Sequence, residues 1–241
     1  MSYFKNFPYV NYKFGNETFN TSIQDLSAYS DIIDLIIDDV SFYEEIHILQ
    51  HDRPDTLSNE LYGDVKYYWT FFLLNDHIRE SGWPLTQSKL TDLILYNHPN
   101  TVLTTQDDLT GVFKIGAEIT GSTSGETGTI LSRNLDLGQL VISGTKSFLA
   151  TEVITATEGV DFNSIQLAAQ VEEINAIHHY EDSDGTYIDI DPHGTPGIFD
   201  IPKTHTEHYT EDNDALRDIK ILKADSVISV FSEFQKVMKA K

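Results

Sequence analysis

LSNELYGDVKYYWTFFLLND, residues 57–76, reads as two short helices parted by a Gly-Asp turn. Pro54-Asp55-Thr56 looks like a turn that opens the first helix, predicted over 56–62. Gly63 then suits the left-handed position that ends a helix. The second helix is predicted over 65–74 and stops at Asn75-Asp76. Helical spacing makes Leu61, Trp69, Leu73 and Leu74 the expected core of this region. Tyr62 and Trp83, beside Gly63 and Gly82, are expected to remain partly available to partners. Upstream, 42–49 reads as a strand with Phe42, Ile46 and Ile48 on one face. Downstream, Gly82-Trp83-Pro84 breaks the chain, and Thr86 caps a third helix predicted through residue 96, with Leu90, Leu93 and Ile94 as its buried stripe.

Farther out, Val10, Tyr12 and Phe14 alternate with Asn11 and Lys13 before Gly15-Asn16, a short strand and turn. Pro8 confines that strand to an edge or a strand start. An aromatic arm of this kind, with Tyr9, Tyr12 and Phe14, can add to a neighbour's sheet. Residues 30–40 place Ile32, Leu35 and Ile36 at helical spacing. Near residue 111 the composition turns to Gly, Thr, Ser and β-branched residues. Phe113, Ile119 and Thr120 recur 35 residues later as Phe148, Ile154 and Thr155. Short strands with glycine turns predict an inserted small β-barrel or sandwich over 111–160. Its segment 121–128 lacks the Lys-Ser/Thr ending and the strand-to-helix setting of a phosphate loop.

Residues 164–176 fit either helix or strand. Asp182-Ser183-Asp184-Gly185, between His178-His179-Tyr180 and Tyr187-Ile188, is a strong hairpin signal. Residues 192–213, with Pro192, Pro196 and Pro202, read as an irregular connection, and 217–223 as a strand. A final helix carries Val227, Val230, Phe231, Phe234, Val237 and Met238 at i, i+3, i+4, i+7 spacing. Phe231 and Phe234, on one face of it, are a second candidate contact surface. The fold expectation is α+β in four parts: an N-terminal arm and helix (1–39), a helix-strand module (40–110), the β-rich insert (111–160), and a C-terminal hairpin, strand and helix completing the core (161–241).

The 241 residues carry 16 basic and 38 acidic side chains, a formal charge of −22. Such an acidic surface argues against nucleic acid or an anionic membrane as partner, since phosphate binding runs on Lys and Arg. The exception is local: residues 217–241 hold six basic residues against three acids. No cysteine is present, which removes disulfides, thiolate nucleophiles and Cys-based zinc sites. The first fifteen residues lack an apolar signal core and no run approaches the length of a membrane span, so a soluble, untargeted chain is expected. Abundant aromatics (13 Phe, 12 Tyr, 2 Trp) argue for a packed protein and also suit interfaces.

Chemistry-bearing patterns are weak. A calcium loop needs Gly at position 6 and Glu at position 12; counted from Asp182, Gly185 falls at position 4 and His193 at position 12. His205 and His208 stand at i, i+3, while His178, His179 and His193 stand at no diagnostic ligand spacing. There is no Gly-x-Ser-x-Gly elbow. The expectation is a non-enzymatic chain without catalytic residues, metal or cofactor.

Asp55-Thr56-Leu57, Glu60-Leu61-Tyr62-Gly63-Asp64, Tyr68-Trp69 and Leu73-Leu74-Asn75 together resemble the LysM pattern of strand, turn, helix ending near Gly, and second helix ending in Asn. Pro54 stands where LysM modules usually carry Gly, and no Gly-x-x-Leu-x-Ile closing strand follows Asn75. With Gly82-Trp83, the hairpin around Asp184-Gly185 and the ending LRDIKILKADSVISVFSEF, the chain also resembles the wedge-joining baseplate proteins of T-even-like contractile-tailed bacteriophages, which carry a LysM-like region. That resemblance covers about 40–98 and 175–241. It implies a structural virion subunit made in the host cytoplasm, in six copies per baseplate, whose partners are other wedge and hub-proximal tail proteins. The segment 111–160 resembles the Gly-Thr-rich inserts of marine phage structural proteins. The rival expectation is a peptidoglycan-binding LysM module of a cell-wall-associated protein.

Overall fold

The computed structural model describes residues 9–25, 43–158, 161–191, 193–194 and 196–240; the helix expected over 30–40 and the first eight residues of the arm lie outside them. Helix and sheet are mixed in an α+β arrangement of two compact units, residues 1–86 with 213–241, and residues 87–212. The division differs from the four expected parts. The closing strand and helix belong with the first 86 residues, and everything between forms one unit.

In the first unit, β1 (Tyr9–Tyr12) pairs antiparallel with β2 (Thr21–Gln24), so the arm is a hairpin. β3 (Tyr43–His47) leads to α1 (Pro54–Tyr62). Pro54 stands in the first helical turn, where its missing N–H costs nothing. Thr56 Oγ1 accepts the Arg53 N–H at 3.1 Å, and Gly63 ends the helix at φ 70°. The helix expected over 65–74 is split. Asp64 accepts the Lys66 N–H and starts a 3₁₀ turn, Val65–Tyr67, before α2 (Trp69–Leu74). Short polar side chains compete for the backbone in this way at helix starts. α3 (Asp76–Ser81) ends at Gly82.

The strand missing after Asn75 in the sequence is supplied from far away. β14 (Asp218–Leu222) pairs antiparallel with β3, from Asp218 opposite His47 to Leu222 opposite Tyr43. Asn75 joins it to α2: its Nδ2 donates to Phe71 O (2.8 Å) and Lys220 O (2.7 Å), and its Oδ1 accepts the Lys220 N–H (2.7 Å). Ile219 and Ile221 pack with Ile48, Leu57, Phe71 and Ile78. Leu222 joins a second cluster of Tyr67, Trp69, Leu73 and Leu74 with Val227, Val230 and Phe234 of α4, defined here as Val227–Ala240. Leu61 is half-buried at the edge of the first cluster. The side chains of Val237 and Met238 lie outside the described residues.

The second unit opens with α5 (Gln87–Asn97), whose Leu90 and Ile94 are buried. Leu93, expected in the same stripe, is exposed because the buried face is narrower than three residues per two turns. Seven antiparallel strands follow: β4 (Thr101–Thr104), β5 (Glu118–Gly121), β6 (Thr127–Asn134), β7 (Gln139–Ile142), β8 (Val153–Glu158), β9 (Asp161–Gln166) and β10 (Ala169–Glu172). Their order is β10-β4-β7-β6-β5-β8-β9. The sheet therefore reaches beyond the expected insert of 111–160 on both sides. β9 and β10 lack the Gly-Thr-rich composition that marks the middle, and β4, though half threonine, precedes the first glycine of that stretch at Gly111, so composition could not assign them to it.

Leu103, Ile119, Ile130, Leu140, Ile142, Ile154 and Ile165, from six of the strands, share one core with Phe113 and Phe148. The 35-residue repeat is structural. β5 and β8 pair with Thr120 opposite Thr155, and each is preceded by a turn, Ala117 N–H to Lys114 O (3.0 Å) and Glu152 N–H to Leu149 O (3.3 Å). Gly116 (φ 86°) and Thr151 (φ 59°) occupy the same left-handed place in the two turns.

The connection expected over 192–213 is largely ordered into elements. β11 (Ile177–Glu181) pairs with β12 (Tyr187–Ile188), as the Asp-Gly signal predicts, and on its other side with β13 (Ile201–Thr204). β13 runs directly into α6, His205–Ala215. That helix has almost no apolar residues, so a search for an apolar stripe passes over it. Among the described residues, no helix is long and apolar enough to cross a membrane.

Candidate functional site

Five of the chain's nine histidines gather in the second unit, on three segments. His178 and His179 come from β11, His205 and His208 from α6, and His98 follows α5. Successive strand residues normally point to opposite faces. Here the β11–β13 register shifts between Ile177 and His179, a bulge-like irregularity, and the two adjacent imidazoles meet with their Nδ1 atoms 2.8 Å apart. α6 starts with a reciprocal cap: Thr204 Oγ1 accepts the Glu207 N–H (3.2 Å), and Glu207 Oε2 accepts the Thr204 N–H (2.8 Å). The helix then presents His205, His208, Tyr209 and Asp212 at i, i+3, i+4, i+7.

The rings form a continuous cluster. His178 stacks on His208 with centroids 4.1 Å apart and meets His205 edge-on at 5.0 Å; His205 lies 4.2 Å from His98. Tyr187 stacks on His179 at 3.8 Å. Carboxylates hold the outer nitrogens. His179 Nε2 lies 2.9 Å from Glu181 Oε1, and His98 Nδ1 lies 3.2 Å from Glu173 Oε1. Glu173, itself buried, is fixed by the Asn100 N–H and Nδ2. His98 Nε2 lies 3.3 Å from the Tyr209 hydroxyl.

Burial, and then the neighbouring imidazoles of His98 and His178, push His205 down to about 4. Burial, with His208, His179 and His98 around it, also lowers His178. At neutral pH these two rings are therefore uncharged and carry free lone pairs. The His205 Nδ1 is buried without a hydrogen-bond partner. One ligand atom each from His178, His179 and His208 lie within 4.8 Å of one another, a grouping that the linear spacing of these residues does not reveal. The Thr204-x-x-Glu207 capping box was the available signal, since it starts a helix that puts His205 and His208 on one face.

The residues expected at partner contacts fall in the first unit and divide into two sets. Tyr9, Tyr12 and Phe14 are 67%, 52% and 47% exposed, joined by Phe19 at 63%. Tyr12 and Phe14 meet edge-on at 4.8 Å. Tyr62 and Trp83 are half-buried and engaged within their own unit: the Tyr62 hydroxyl donates to Leu222 O and the Trp83 indole to Asp52 O, both at 2.8 Å. Phe231 is half-buried against Tyr67 and Trp69. Phe234 is not an interface residue of this unit's surface. It is 1% exposed, with its ring 4.6 Å from Trp69, because the helix turns its apolar stripe onto α2.

A groove of about 550 Å³ runs beside the β3–β14 pair, lined by Glu45, His47, Asp76, His77, Asp218 and Lys220 among others. Its lining is mostly polar, with Ile46, Leu74 and Ile219 among it, and holds no Tyr, Trp or Phe on which a sugar ring would stack. No protein-family pattern matches this chain, and no curated protein matches it either.

Proposed function

We propose that this chain is a structural subunit of a contractile phage-tail baseplate, joining neighbouring wedge subunits. The observation that carries the reading is the β1–β2 hairpin, which holds Tyr9 and Tyr12 of β1 and Phe14 and Phe19 of its connecting loop in solvent. Aromatic rings kept exposed by a defined fold favour burial against a partner. The path β3–α1–α2–β14 supports the reading as well. It follows the strand-helix-helix-strand order of a LysM-like module, with Ile219 and Ile221 on the closing strand. The β5–β8 region reads in the same way as a small barrel inserted into that subunit.

Charge decides the type of contact. Copies carrying −22 repel one another, so the hairpin is matched to a different subunit with complementary charge and apolar pockets. The rival, a peptidoglycan-binding module, is less well served by the acidic groove beside β3–β14. The test is a Tyr12→Ser, Phe14→Ser, Phe19→Ser triple variant, used to complement a phage that lacks its wedge-joining subunit. The variant should fold and fail to enter baseplates. Normal incorporation, or retention of the native chain on insoluble peptidoglycan, would defeat this reading.

A further inference from the structure

We propose that His178, His179 and His208 form a binding site for one divalent transition-metal ion of the zinc type, tying β11 to α6. The three ligand atoms lie within 4.8 Å of one another on two elements that are far apart in sequence. A tetrahedral zinc with nitrogens at about 2.0–2.1 Å separates them by about 3.3 Å. The His178–His179 distance of 2.8 Å is shorter than that value and the 4.8 Å limit is longer, so the rings, with His178 now stacked on His208, have to turn to take the ion.

The surroundings are those of a ligand set. Glu181 holds His179 Nε2, an outer carboxylate that fixes the tautomer and makes the inner nitrogen more basic. With its proton on Nε2, His179 offers a lone pair at Nδ1, and in the metal-free chain His178 Nδ1–H donates to it. On metal binding the His178 proton moves to its Nε2, and both Nδ1 lone pairs turn to the ion. No net proton is lost. His208 Nε2 stands 3.5 Å from Asp212, a second carboxylate at the site. His205, one helical turn from His208, has its Nδ1 buried without a partner. Imidazole ligands without thiolates favour Zn²⁺, Ni²⁺ or Cu²⁺ over Mg²⁺ or Ca²⁺. His178 and His208 are half-buried, which leaves the ion a route in from solvent. The site lies wholly within residues 87–212 and does not depend on the assembly reading.

The experiment is calorimetric titration of the full chain, stripped with EDTA, with ZnCl₂, together with Co²⁺ absorption as a report of tetrahedral geometry. One equivalent should bind, with no response to Mg²⁺ or Ca²⁺. Glu181→Gln should weaken binding roughly 10–100-fold, as loss of an outer-shell carboxylate does. His208→Gln should abolish binding, and His193→Gln, outside the cluster, should leave it unchanged. Absence of binding by the native chain, or equal binding by His208→Gln, overturns the site. Should His208→Gln fail to fold, amide exchange of the native chain decides. Zinc must slow exchange over 177–181 and 204–209, and protection elsewhere or nowhere overturns the proposal.

Discussion

Asn75 takes the place of a strand neighbour for β14, satisfying both the N–H and the C=O of Lys220 while also bonding Phe71 O. The residue is 4% exposed, so truncation strips these backbone groups of the partner they have in the fold. Asn75→Ala should cost about 2–4 kcal/mol, read by urea unfolding of the first unit. Glu152 has the same function in the second unit. Its buried carboxylate accepts the N–H groups of Thr123 (3.0 Å), Ser124 (2.9 Å) and Leu149 (2.6 Å), and the Ser124 hydroxyl (2.8 Å). The glycine-rich loop does cradle an anion, but the anion is the chain's own. Gly121 allows this approach, since a Cβ there would fall 2.6 Å from the carboxylate. Burial pushes Glu152 up, but the Ser124, Leu149 and Thr123 donors outweigh it and hold the group below the ordinary 4.5. A depressed carboxylate stabilises the fold fully above pH 4.5 and loses that contribution as pH falls through its folded value. The second unit should therefore lose stability on acidification below about pH 4.5. Glu152→Gln should remove that part of the pH slope and cost about 2 kcal/mol near neutrality, because its amide N–H₂ meets donors.

Two helices show how far elements can be read from local pattern. α4 announces itself, since Val227, Val230 and Phe234 repeat at helical spacing and all three are buried. Trp69, against which Phe234 packs, is 5% exposed. Trp69→Ala should destabilise the first unit by roughly 3–5 kcal/mol in chemical denaturation. Ile228, off that stripe on α4 and 65% exposed, should tolerate Ser within about 0.5 kcal/mol. α6 has no such stripe. Its inward face is imidazole and phenol, residues counted as polar in any hydrophobic pattern, and only the Thr204–Glu207 cap marks its start. The histidine cluster was therefore invisible to periodicity. Its members are contributed by β11, α6 and the end of α5, and a bulge reverses the usual alternation between His178 and His179.

For the whole molecule, the cut that preserves a fold is not the one composition suggests. Removing 112–160 takes β5 to β8 out of a seven-stranded sheet, strips β9 of its partner and leaves β4 paired with β10 alone. Removing 87–212 takes out one complete unit. The ends it leaves are already joined: Leu85 N–H donates to Asn213 Oδ1 (2.7 Å), and Asn213 Nδ2 donates back to Leu85 O (3.1 Å). The buried Arg217 adds bonds to Leu85 O, Ile48 O and Asp214. A short Gly-Ser linker across that gap closes a small loop at little entropic cost. The 87–212 deletion should unfold in one cooperative transition, whereas the 112–160 deletion should lose the transition of the second unit. Thermal unfolding of both deletion variants beside the full chain checks the pair of outcomes.

The amino-acid sequence by itself determined the features that depend on neighbours within a few residues. These are the presence of α1 after Pro54, whose start was expected two residues later, its end at Gly63, the stop at Asn75, the Asp-Gly hairpin, the apolar stripe of α4, and the acidic charge. Only the tertiary structure decided which distant segments meet. β14 closes the sheet begun by β3, with His47 and Asp218 paired 171 positions apart, and residues 178, 179 and 208 bring their imidazoles into one cluster. The physical reason is that caps, turns and stripes are energetics of adjacent residues. Strand pairing and ligand geometry arise instead from which surfaces are buried together once the whole chain has collapsed.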